Sequence, residues 1–210
     1  MKTSAEIYLI ADTGSAAHAR IAAILARVKP SSLLVRKPSD APEFELDATR
    51  NIVAASQEAG TAALIESNAE LARGLRADGV HLSQPSADKR AYVEAREIVG
   101  GRAIVGMTAG PLRHDAMEAG ELGADYVAFA RVPEDDGFET LIERVAWWSE
   151  IFELPCVALG AETTDEMVAL AAAGADFIGI QCPVATSVAD AVDYVVDAQA
   201  AILSAKGHAS

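Results

Sequence analysis

Short apolar runs rich in Val and Ile alternate along the chain with longer Ala-rich segments whose apolar residues recur at helical spacing. The runs are EIYLIAD at 6–12, SLLVRK at 32–37, TAALIE at 61–66, GVHLS at 79–83, AIVGMT at 103–108, DYVAFAR at 125–131, PCVALG at 155–160 and DFIGIQ at 176–181. The segments that follow them predict helices over Ser15–Val28, Asp47–Ala59, Ser67–Leu75, Asp88–Ile98, Leu112–Leu122, Phe138–Phe152, Thr163–Ala173 and Ser187–Ser204. Asp47, Ser67, Thr163 and Ser187 are placed to cap their helices, because each can accept a hydrogen bond from a first-turn N–H. Strands apolar on both faces, each followed by a helix, imply a parallel sheet covered on both sides. Eight such units predict an α/β fold, a small (β/α)8 TIM barrel in which residues 1–210 form one domain.

Three short motifs support the count. RADGV at 76–80, GADYV at 123–127 and GADFI at 174–178 each close a helix and open a strand. Their aspartates, Asp78, Asp125 and Asp176, fall at the strand N-terminal ends, the face of a barrel that serves stability rather than catalysis. They are expected to be structural.

Charge narrows the partners. The chain carries 31 acidic against 17 basic residues, a formal net charge of −14. A surface this acidic is repelled by phosphate backbones and by anionic lipid, which argues against nucleic-acid and membrane partners. No apolar run reaches the length of a membrane span and the N-terminus lacks a signal-peptide core, so a cytoplasmic location is expected. Cys156 and Cys182 have no metal-like spacing and are expected to be buried, inert thiols.

In a barrel, chemistry sits at the strand C-terminal ends and in the loops that follow them. Arg36 and Lys37 stand there together, a pair suited to a phosphate or carboxylate, or else a solvated loop charge. Lys37 is the one lysine of five at a strand end, and so the one placed for a Schiff base. His81 lies near the end of the fourth strand, as a pocket acid or base or as a core histidine bonded to a neighbouring strand. Gly160 and Ala161 end the seventh strand where barrels often bind phosphate through backbone N–H groups, but Glu162 follows them. Pro183, just past Gln181, has no N–H to offer. Glu66, Asp88, Asp135 and Asp136 are the carboxylates near enough to bind a metal, or to form a solvated acidic loop. Trp147 and Trp148 on the sixth helix suit either a contact between subunits of a homo-oligomer or packing against the barrel.

LARGLRADGVHLSQ (71–84), ELGADYVAF (121–129), LPCVALG (154–160) and AAGADFIGI (172–180) together give the chain a family likeness. In order and spacing it resembles thiamine phosphate synthase and its thiazole tautomerase relatives from Ser31 to Val184. The resemblance implies a reaction of thiamine biosynthesis that joins a pyrimidine diphosphate to a thiazole phosphate. Diphosphate departs, the thiazole nitrogen attacks the cation left behind, and Mg2+ with basic residues holds the leaving group. It implies a catalytic set of Arg36, Lys37 and Thr108, a substrate-binding set of His81, Gln84, Gly160, Ala161 and Gln181, and metal ligands among Glu66 and Asp88.

Several positions depart from the family pattern. Leu34 stands for a Gln, Pro38 for a Lys with Lys37 one place early, and Glu66 and Ser67 for an Asn-Asp pair. Gln84 is kept, but Ser86 replaces the magnesium Asp and Asp88 lies two residues on, so the ligand set is incomplete. Thr108 stands for a Ser, and Gly110 for the tautomerases' His. ARVPEDDGFE replaces a basic, threonine-rich loop after the sixth strand. These changes predict weak or altered activity, with a non-catalytic small-molecule sensor or protein-interaction module as the alternative. A phosphosugar epimerase or aldolase is disfavoured for want of an acid/base pair.

Overall fold

The computed structural model describes residues 5–14, 17–83, 89–132, 137–183 and 186–205. Eight strands alternate with eight helices: β1 (Glu6–Asp12), α1 (Ala17–Leu25), β2 (Ser32–Arg36), α2 (Leu46–Glu58), β3 (Ala62–Glu66), α3 (Ala69–Leu75), β4 (Gly79–Leu82), α4 (Lys89–Val99), β5 (Ile104–Thr108), α5 (Arg113–Glu121), β6 (Tyr126–Ala130), α6 (Phe138–Ile151), β7 (Cys156–Leu159), α7 (Thr164–Ala172), β8 (Phe177–Gln181) and α8 (Val188–Ser204). Neighbouring strands pair in parallel and β8 returns to β1, so the expected (β/α)8 barrel is closed. Among the described residues no helix is long and apolar enough to cross a membrane.

Side chains alternate in direction along each strand, and the register carries one parity around the ring. Ile10 pairs with Leu34, Leu34 with Leu64 and Ala128 with Val157. Tyr8, Ile10, Leu34, Leu64, Tyr126, Ala128 and Val157 form a buried cluster inside the barrel. The opposite parity, including Leu9, Leu33, Ile65, Val105 and Phe129, packs outward against the helices in a larger core. Trp148 belongs to that core: its ring meets Phe129 edge-on at 5.7 Å and its indole N–H donates to the Leu154 carbonyl at 2.8 Å.

The three repeated aspartates do the same structural work. Each sits just before an even-numbered strand and accepts an N–H from the start of the strand before it. Asp78 takes the Ala63 N–H at 2.8 Å, Asp125 that of Val105 at 2.7 Å and Asp176 that of Cys156 at 2.9 Å. Asp125 is further held by Arg96 at 2.6 Å. The helix-closing residues Arg76, Gly123 and Gly174 all adopt positive φ, the left-handed turn that lets the chain reverse into the strand.

Thr163 and Ser187 cap α7 and α8 as expected, accepting from Glu166 N and Asp190 N. The other two expected caps are corrected. Asn68 caps α3 by accepting from Leu71 N, because Ser67 is turned to φ +47° at the strand end. Asp47 lies inside the first turn of α2, whose cap position is Glu45 with no side-chain bond. Asp47 instead pairs with Arg50 at 2.7 Å.

Asp125→Ala removes the acceptor of a buried strand N–H and one partner of Arg96. It is expected to lower the unfolding free energy by about 2 kcal/mol in urea denaturation. Binding at the opposite end of the barrel should be unchanged.

Candidate functional site

The inward parity that builds the interior also delivers a ring of polar residues to the strand C-terminal ends. Asp12 and Arg36 are register partners at the ends of β1 and β2. Arg36 Nε donates to Asp12 Oδ1 at 2.9 Å, and Nη2 lies 2.9 Å from the same oxygen. Nη2 also donates to Gln181 Oε1 at 2.7 Å from the end of β8. The guanidinium is therefore fixed between two neighbouring strands. Lys37 has the other parity and its Nζ donates to the carbonyl of Ala41 in its own loop, so the two cations do not act as a pair. In this structure the two cations have separate partners.

Across the mouth, Glu66 ends β3 beside His81 of β4. Ser83 Oγ donates to Glu66 Oε1 at 2.7 Å, while Ser83 N donates to Ser67 Oγ at 3.1 Å. Ser67 N donates to the His81 carbonyl at 2.8 Å. These bonds hold Ser67 in its left-handed conformation, an uncommon one for a residue with a Cβ. Among the described residues no three His, Cys, Asp or Glu side chains converge as metal donors. Glu66 could supply one of the one or two carboxylates through which magnesium, together with substrate phosphates, is usually held. Asp88, Gln84, Ser86, Asp135 and Asp136 lie outside the described residues.

Below the mouth the barrel interior is polar along one line. His81 Nε2 is 2.9 Å from Thr108 Oγ1, His81 Nδ1 is 2.8 Å from the Tyr126 hydroxyl, and Tyr126 is 2.7 Å from the Tyr8 hydroxyl. The four residues are between 1% and 7% exposed. Gly106 makes the space, since a Cβ there would stand 2.0 Å from Cζ of Tyr126. The His81 ring stacks on Tyr126, with centroids 5.6 Å apart and planes at 7°. Burial pushes the His81 imidazole down to about 4, so it is neutral at pH 7. Burial likewise raises both tyrosines above their ordinary value and keeps them protonated. His81 is thus a core histidine bonded across strands, lying beneath the mouth.

A third cluster lies at the ends of β6 and β7. Gly160 adopts φ +105°, and a Cβ there would come within 2.7 Å of Arg131 Cβ. Ala161 leads into Glu162, whose N–H donates to Glu166 Oε2 at 2.7 Å. Arg131 Nη1 is 3.2 Å from Glu166 Oε1 and 3.6 Å from Glu162 Oε1. The backbone donor at the start of α7 and the nearby cation are thus engaged by the protein's own carboxylate. Both cysteines are buried, and burial raises the Cys182 thiol to about 11.

The family model described as thiamine monophosphate synthase matches residues 7–181, from β1 to the last residue of β8. The chain belongs to this family.

Its curated relatives include a thiamine-phosphate synthase of Erythrobacter litoralis, 44% identical over 56% of this chain and 56% of that protein. One from Hyphomonas neptunium is 39% identical over 71% of this chain and 70% of that protein. The chain spans little more than half the length of the first of these. A solved thiamine phosphate pyrophosphorylase from Pyrococcus furiosus superposes with a TM-score of 0.73 over 94% of this chain and 97% of that one, at 23% identity. That likeness shows the barrel.

The Arg36 and Gln181 side chains meet at the mouth, Glu66 ends its strand beside His81, and His81 and Thr108 are bonded to each other beneath it. Asp12 and Arg131 stand in the strand-end stretches that face a barrel's ligand pocket, whereas Tyr8 and Tyr126, which lie earlier in their strands, carry no such signal in the sequence.

Because the folded His81 pKa lies below its ordinary 6.5, the unfolded chain binds more protons between pH 6.5 and 4. Stability should therefore fall as pH drops through that window, by up to about 1.4 kcal/mol per pH unit from this group. The slope should be shallower in His81→Gln, measured by urea denaturation at a series of pH values.

Proposed function

We propose that this chain is a thiamine phosphate synthase in which Arg36 holds the departing diphosphate. Support comes from the family membership together with one observation, the guanidinium fixed at the mouth by Asp12 and Gln181. In the reaction the carbon–oxygen bond of the pyrimidine diphosphate breaks, and its electron pair leaves on diphosphate. The nitrogen of the thiazole phosphate then gives its lone pair to the methylene carbon, so no oxidant or proton donor is required. A preorganised guanidinium stabilises charge as it develops on the leaving oxygen, without reorganisation at the moment of bond breaking. Thr108 offers a hydroxyl at the same mouth, and His81 lies beneath it. Mg2+, which the family resemblance implies, would neutralise diphosphate charge. Asp12 and Glu66 are the described carboxylates at that mouth, and no step here depends on either.

The third cluster bears on rate. A phosphate arriving at the β7–α7 loop competes with the Glu166 carboxylate for the Glu162 N–H and for Arg131. This internal competitor accounts for an expected modest affinity for the phosphorylated thiazole.

Incubating the purified protein with both precursors and Mg2+ should yield thiamine phosphate, and Arg36→Ala should lower kcat/KM by about 100-fold or more. No product at high protein concentration would overturn the proposal. A thermal shift with either precursor in that case would indicate a binding-only relative. Glu166→Gln should lower KM for the thiazole phosphate by roughly 3- to 10-fold with little change in kcat. That is the scale of one hydrogen-bonding interaction near 1 kcal/mol.

A further inference from the structure

The polar line inside the barrel has a direction that hydrogen counting decides. Its buried lower part contains two contacts, Tyr8 to Tyr126 and Tyr126 to His81 Nδ1. If His81 carries its proton on Nδ1, three hydrogens share those two contacts: one N–H and two hydroxyls. One tyrosine hydrogen is then left inside the barrel without an acceptor, since the Tyr8 hydroxyl makes no other hydrogen bond among the described residues and Glu66 acts on it only through its charge. A doubly protonated ring leaves the same orphan and adds a buried charge.

If the proton is on Nε2, two hydrogens serve two contacts. Tyr8 donates to Tyr126, Tyr126 donates to Nδ1, and every buried hydrogen is satisfied. The cost is an under-used tyrosine oxygen, which proteins tolerate better than a buried donor without an acceptor. The consequence appears at the upper end. Nε2–H must donate to Thr108 Oγ1, so the Thr108 hydrogen is not spent on the ring.

We infer that Tyr8 and Tyr126 are positioning residues that hold His81 as the Nε2–H tautomer and thereby present Thr108 as a hydrogen-bond donor to the mouth. The ligand atom it meets is an acceptor, an anionic oxygen or a ring nitrogen with a free lone pair. Where the ligand is the pyrimidine diphosphate or the thiazole phosphate, this assignment rests on the proposed function; the tautomer itself does not.

Two measurements test it separately from turnover. In protein labelled with 15N-histidine, with His81→Gln used to assign the resonance, His81 should show a protonated Nε2 and an unprotonated Nδ1. A protonated Nδ1 overturns the inference whether or not the protein makes thiamine phosphate, and absent turnover with Nε2–H leaves it standing. For function, Thr108→Val and Tyr126→Phe should each lower kcat/KM, or weaken pyrimidine diphosphate binding, by about 5- to 10-fold. The double variant should be no worse than Thr108→Val alone, because Tyr126 acts through Thr108. Multiplying losses would mark Tyr126 as merely structural and overturn the positioning role. Should Tyr126→Phe fail to fold, the tautomer in the unmodified protein still decides.

Discussion

Closure of the parallel ladder is the constraint on which everything else depends. Once β8 pairs with β1, each strand must send alternate side chains into a shared interior, and the register fixes which ones. Apolar residues and the bonded line of Tyr8, Tyr126, His81 and Thr108 fill that interior. At the C-terminal end the same parity brings Asp12, Arg36, Glu66, Thr108 and Gln181 to one mouth. At the other end, Asp78, Asp125 and Asp176 each tie the entry of one strand to the start of its neighbour. A regular structural device therefore holds one rim, leaving the opposite rim free to carry irregular, chemically active residues.

Electrostatics at the mouth is arranged by pairing. Arg36 is oriented by Asp12, an arrangement that offsets part of the local charge for a fixed direction. Arg131 is similarly engaged, but by two glutamates that also reach the start of α7. The first pairing leaves a guanidinium facing a shared opening. The second resembles a small anion site already filled from within. In this acidic chain of the thiamine monophosphate synthase family one guanidinium is thus oriented at the mouth and another is held by carboxylates.

Much of the fold was legible because the periodicities are strong: eight apolar runs, each followed by a helical stripe, leave little choice but a parallel barrel. Errors fell where local chemistry offered two neighbouring candidates. Ser67 and Asn68 are both acceptable caps, and Asn68 caps because Ser67 is drawn into the left-handed turn by bonds to His81 and Ser83. Asp47 looked like a cap, yet the helix begins one residue earlier and the carboxylate pairs with Arg50. For the site, strand-end position singles out Arg36, Glu66, His81, Thr108 and Gln181, while the parity of Lys37, visible only in the paired strands, sends its side chain into its own loop.

By itself, then, the sequence determined the strand and helix order, the residues at each strand end, the acidic balance and the family likeness, because all of these are local or compositional. Only the tertiary structure decided who meets whom. Tyr8 and Tyr126 are 118 residues apart and share a hydrogen bond only because barrel closure and the missing side chain of Gly106 bring their rings together. The Arg36–Gln181 and Arg131–Glu166 contacts likewise join strands and helices that no spacing rule connects. Orientation of the His81 proton depends on all of these placements at once, since it is set by counting donors and acceptors in a space that exists only after the barrel has closed.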